Sequence, residues 1–222
     1  MSRPAAPSGR TGRPPATSRE QILEAARAIL DRDGAGKLTI RRLAAELGVG
    51  ATTLYHHVRD KDDLLVQLLE YYAKQLPRPG LPDEPRERIV AAATVMHDAL
   101  AARPEIAEVL TADDFLGESA LWMVDAIVGG ALGCGCPPER AVELYRNVWY
   151  FTIGEILVRA RAGRRAAQDR PRYRDQVFAG LDPARFPSLA VVGDRWPELS
   201  ARDTYRAGLR AFVDGLLAQE SR

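Results

Sequence analysis

The chain has 222 residues, is 46% hydrophobic and 27% charged, and carries a formal net charge of +1. That balance excludes whole-chain disorder and leaves enough length for a sizeable core without disulfides or metals. Cys134 and Cys136 alone cannot build a disulfide framework or a four-ligand zinc site. No segment approaches about 18 uninterrupted apolar residues, so no membrane span is expected. The start lacks the apolar core of a secretory leader, and the expected location is cytoplasmic.

Residues 1–17 are rich in Pro, Gly and Ser, and residues 1–19 carry Arg3, Arg10, Arg13 and Arg19 without an acid, leaving the remainder at −3. The composition predicts a disordered basic arm over 1–17. Its Arg10-Thr11-Gly12-Arg13-Pro14-Pro15 segment reads either as a passive tail or as an extended unit suited to the minor groove. Ser18 and Gln21 fit a capping box, and Ile22, Leu23, Ala26, Ile29 and Leu30 make one apolar helical face that ends before Gly34 and Gly36. Thr39 caps a short second helix with Ile40, Leu43, Ala44 and Leu47 inward, closed by Gly48. A third helix follows almost at once, with Leu54, Tyr55 and Val58 inward. Asp60 then caps a fourth helix striped by Leu64, Leu65, Leu68, Leu69 and Tyr72.

The Pro-rich run 76–82 breaks the pattern and marks a candidate boundary between units at 18–75 and 83–222. Beyond it the spacing predicts helices over 85–102, 104–112, 118–132, 138–165 and 201–219, with one short helix near 173–179 in an otherwise irregular stretch. No segment alternates with period two, so the fold class is all-α.

Two short helices joined by Leu47-Gly48-Val49-Gly50 and packed on a longer first helix make a helix-turn-helix. Such a unit offers the N-terminal part of its second short helix to the major groove, which calls for small or hydrogen-bonding side chains there. Ala51, Thr52, Thr53, His56, His57 and the Tyr55 hydroxyl suit that task. Tyr55 also reads as a ring packed beneath the helix. His56 and His57 point about 100° apart, so one is expected at the groove and the other partly packed or facing phosphate. Arg41 and Arg42 read as phosphate contacts or as a solvated charged face.

The run Leu38-Thr39-Ile40-Arg41-Arg42-Leu43-Ala44-Ala45-Glu46-Leu47-Gly48-Val49, with Thr53-Leu54-Tyr55-His56-His57-Val58 and Lys61-Asp62-Asp63-Leu64-Leu65, resembles the DNA-binding domain of the TetR family of repressors over about 18–70. Phe151-Thr152-Ile153-Gly154-Glu155-Ile156-Leu157 and the closing segment 208–216 are similar to the ligand domain of that family's tetracycline-responsive branch. The resemblance implies a helix-turn-helix domain followed by a helical-bundle ligand-binding and dimerisation domain. It also implies a homodimer paired through the 138–165 and 201–219 helices, a palindromic operator, and release by a small molecule.

Carried over residue by residue, the DNA contacts fall on Thr39, Arg41, Arg42, Thr52, Thr53, Tyr55, His56 and His57, with Lys61 on a phosphate. Leu110 stands where the tetracycline-responsive branch has a metal-binding His, and Gly50 and Ala51 replace longer polar side chains. No metal or other cofactor is therefore expected, and a different operator is. Ligand promoting DNA binding, or an architectural role without ligand, are the alternative modes.

Met96, Leu110, Phe115, Trp122, Met123, Tyr145 and Trp149 read as core or, with the resemblance, as the lining of a pocket for an apolar or amphipathic effector. His97 reads as a satisfied lone histidine. No nucleophile elbow, phosphate loop or H-E-x-x-H occurs, so no enzymatic activity is expected.

Overall fold

A computed structural model of the chain describes residues 17–112, 115–166 and 173–218. The Arg10–Pro15 segment and most of the basic arm lie outside them, as does the expected end of the last helix at Gln219. All regular structure among the described residues is helical. None of these helices is long and apolar enough to cross a membrane.

Four helices form the N-terminal head: α1 (Arg19–Asp33), α2 (Ile40–Leu47), α3 (Ala51–Tyr55) and α4 (Lys61–Lys74). The start signals act as the sequence predicts. Ser18 accepts from the Gln21 backbone N–H while Gln21 accepts from the Ser18 backbone N–H, which satisfies two orphan donors of α1 reciprocally. Asp60 accepts from Asp63 N–H at 2.8 Å to open α4. Gly48 closes α2 at φ +65°, a left-handed conformation that side chains resist. A 3₁₀ turn, Ala35–Lys37, follows the glycine that ends α1. The predicted inward face of the third helix is corrected in part: α3 has five residues and buries Leu54 alone, Val58 is buried in the turn beyond it, and Tyr55 is exposed.

The larger bundle comprises α5 (Pro85–Ala101), α6 (Pro104–Ala112), α7 (Leu121–Gly133), α8 (Pro138–Ala166), α9 (Tyr173–Ala179), α10 (Pro187–Ala190), α11 (Trp196–Ala201) and α12 (Tyr205–Ala218). Three predicted elements differ from these. Residues 118–120 are a 3₁₀ turn ahead of α7. The stretch after α9 holds two further short helices, each with proline in its first turn, where a missing N–H costs nothing. The predicted 201–219 helix is broken at Arg202, which turns extended (φ −61°, ψ 141°). Asp203 then accepts from Tyr205 N–H at 3.1 Å, so α12 starts at Tyr205.

The α5 and α7 helices pack closely at Gly130. A Cβ there would lie 2.6 Å from Ile89 Cγ1 and 2.7 Å from the Pro85 carbonyl oxygen. The backbone oxygen cannot rotate away, so the helices would have to separate. Gly130→Ala should therefore lower stability by about 1–3 kcal/mol despite alanine's better helix propensity. A urea midpoint at or above that of the parent chain would refute this.

Candidate nucleic-acid interface and internal cavity

The head presents a mixed surface. Arg41, Thr52, Tyr55 (55% exposed) and His56 face solvent, while Thr53, His57 and Lys61 are half-buried. Thr39 uses its hydroxyl oxygen to accept from Arg42 N–H at 3.2 Å. Of the two neighbouring arginines, Arg42 donates to Asp33 at 2.5 Å, and Asp33 also accepts from Arg32 at 2.7 Å. These bonds, first that from Arg32, hold the Asp33 carboxyl below its usual range. Arg42 thus ties α2 to the end of α1, whereas Arg41 makes no ion pair with a described residue. Lys61 donates to the Ala35 carbonyl at 3.2 Å, which leaves the remaining ammonium hydrogens for an outside acceptor.

A network that local sequence patterns do not reveal fixes the turn after α3 to α4. Asp63 accepts from Arg59 N–H at 2.8 Å, and this bond is the main reason its carboxyl lies below the usual range. Gln67 donates to the His57 carbonyl at 3.2 Å and to Asp63 at 3.2 Å, and its amide oxygen accepts from Arg19 at 2.8 Å. The only local hint is the Asp60–Asp63 capping spacing; Gln67 and Arg19 meet across 48 positions.

A cavity of about 550 Å³ lies among α4, α5, α6, α7, α8 and the 115–120 segment. Met96, Leu110, Phe115, Met123, Tyr145 and Trp149 line it. Trp122 does not, which corrects that part of the predicted lining. Neighbours on a helix point about 100° apart, and Met123 takes the cavity side of α7. Trp122 instead lies beside the Arg78 guanidinium, 6.0 Å from its ring centroid. Sequence reasoning missed Leu69, Tyr72 and Leu76 from the α4 end, and Arg103 between α5 and α6. The α4 stripe was legible, but its service to both the head and the cavity was not.

The 115–120 segment is bound tightly to α4. Ser119 donates to Glu70 through its N–H (3.0 Å) and hydroxyl (2.5 Å), which lowers the Glu70 carboxyl's pKa. Gly117 allows close approach, since a Cβ there would meet the Leu69 carbonyl oxygen at 3.0 Å. Among the described residues, no group of three or more His, Cys, Asp or Glu could hold a metal ion.

Residues 22–68 match the family described as bacterial regulatory proteins, tetR family, and residues 78–220 match the tetracyclin repressor-like C-terminal domain. The class A tetracycline repressor protein from transposon 1721 of Escherichia coli is 30% identical over 200 residues, covering 88% of each chain. Apo ActR from Streptomyces coelicolor has a similar fold: its TM-score is 0.73 at 24% identity, over 93% of this chain and 99% of that one. BioQ bound to its double-stranded DNA operator gives a TM-score of 0.62 at 23% identity, over 90% and 98%.

Proposed function

Because the chain belongs to the TetR family of DNA-binding transcriptional regulators, we propose that it is a repressor released from its operator by a small molecule. Regulators of this family bind operator DNA and small-molecule ligands, typically as dimers. In this reading two copies pair through α8 and α12 and place their heads on a palindrome. Val142, Tyr150 and Val158, large apolar side chains left exposed along α8, support the pairing. The heads are Ser18–Gln75, the bundle runs from residue 83, and Arg41, Thr52, Thr53, Tyr55, His56, His57 and Lys61 meet DNA. Thr39 and Arg42 position this surface from α2.

The observation that carries the reading is the double service of α4. Lys61 stands at its head end, and Leu69 and Tyr72 stand in the cavity wall at the other. A ligand that favours one placement of α4 over another shifts the spacing of the two heads. Equal affinity for both placements would shift nothing.

An operator is first selected from random duplexes with the purified chain, then used in anisotropy titrations at several salt concentrations. Lys61→Ala, which removes a phosphate contact, should weaken binding to all sequences and reduce the salt slope by about 1. Thr53→Ala should relax preference at one position per half-site by about 1–3 kcal/mol. Equal losses on selected and random DNA for both variants would contradict these assignments, and a monomer at micromolar concentration would contradict the pairing. A compound that raises the melting temperature should lower operator affinity; if every such binder instead tightens it, the repressor reading gives way to a co-repressor one.

A further inference from the structure

Resting on the reading of the cavity as an effector site, we propose that the effector is an amphipathic organic anion whose charged group binds Arg103. The walls are otherwise apolar or neutral, and Arg103 is the sole charged side chain among the described lining residues. Tyr72, Tyr145 and Trp149 offer broad aromatic surface for the body of such a ligand. A cation would meet Arg103 with no lining carboxylate to offset it. A neutral molecule would leave the guanidinium unused.

Arg103 is held loosely enough to change partner. Its guanidinium lies over the Tyr72 ring at 4.9 Å from the centroid, and its Nη1 is 3.6 Å from Asp31 Oδ2 on α1. That separation gives Coulombic attraction without a hydrogen bond. Asp31 is shared with Arg27 at 3.8 Å, and the neighbouring Glu105 carboxyl is raised first by burial and further by Asp31. The Tyr72 hydroxyl is buried without a hydrogen-bond partner. A ligand carboxylate or sulfonate reaching Arg103 would form charge-assisted bonds of about 2.7–2.9 Å and outcompete the looser pair.

The backbone at Arg103 is fixed by bonds from its N–H to Leu100 O (3.1 Å) and from Ile106 N–H to its own carbonyl (2.9 Å). The side chain, rather than the helix ends, therefore makes the exchange. Because Asp31 belongs to α1, the same exchange removes an ionic tie between the bundle and the DNA-binding head. The anion's seat and the head's release are then one event.

Two probes share an aromatic body and differ in charge: 1-anilinonaphthalene-8-sulfonate and N-phenyl-1-naphthylamine. Calorimetric titration of the intact protein should give a dissociation constant about tenfold or more tighter for the sulfonate. Arg103→Gln should erase that preference. Asp31→Asn, at a residue outside the cavity wall that pairs with Arg103, should tighten the sulfonate about 3–10-fold by removing its competitor and leave the neutral probe within about twofold. Equal affinities in the parent chain, an unchanged ratio in Arg103→Gln, or an equal shift of both probes in Asp31→Asn would overturn the proposal. One-to-one binding of the neutral probe alone, lost in Trp149→Ala, would overturn the anion while leaving the cavity as a ligand site. Failure of both probes to bind at millimolar concentration would overturn both.

Discussion

Leu54→Ala should reduce specific DNA affinity by on the order of 10–100-fold while leaving the larger bundle folded. The α3 helix is five residues long, far below the length at which a helix is stable by itself. It is capped by Gly50 without a side-chain bond, and Leu54 is its one buried residue, at 0% exposure. Removing that side chain costs about 2–5 kcal/mol of packing, concentrated on one turn. The seated form of α3 becomes a minor species, and apparent affinity falls with its population. Leu54→Met, which keeps volume, should restore most of the affinity. Anisotropy with selected DNA and light scattering on the same samples check this. Unchanged affinity with a lowered melting temperature would mean that α3 is seated by the following turn and not by Leu54.

What was legible in the sequence divides by range. Caps and stops act over three or four residues, so Ser18, Thr39, Gly48 and Asp60 announced their helices, and the apolar stripes between them announced the core. The partners of the exposed-looking charges did not announce themselves. Arg41 and Arg42 are equivalent in the sequence, yet only Arg42 reaches Asp33, because that meeting depends on how α2 crosses the end of α1. Lys61 likewise reaches Ala35 across 26 positions. In the bundle, six of the seven residues chosen for the cavity line it, because large residues on inward stripes converge there. Trp122 was misplaced because α7 is apolar on most of its surface, which leaves periodicity little to discriminate. Arg103 was missed for the opposite reason: a lone arginine in a helix-to-helix turn has no stripe to belong to.

The start of α12 supplies the largest expected loss of stability. Tyr205 is buried (2% exposed) and is the first residue of its helix. Its ring stacks on His97 at 3.6 Å between centroids and 14° between planes, and on Phe151 at 5.6 Å. Its hydroxyl shares a 2.8 Å hydrogen bond with buried Thr152 and donates to the Ala93 carbonyl at 3.4 Å. One side chain therefore joins α12 to both α5 and α8. Tyr205→Ala should cost about 3–5 kcal/mol, and Tyr205→Phe, which takes the hydroxyl from Thr152 and from the Ala93 carbonyl but keeps the ring, about 0.5–1.5 kcal/mol. Burial pushes the phenol up to about 12, against about 10 for an exposed tyrosine. The folded value is raised, so this contribution is whole below pH 10 and is lost as pH climbs through about 12. Tyr205→Phe should accordingly lose less stability than the parent between pH 9 and about 11.5, by urea midpoint. Tyr72 and Tyr145 are raised by burial as well and persist in the variant, so the alkaline decline should be reduced and not abolished. Parallel declines in the two chains would show that α12 is not held through a neutral phenol at this position.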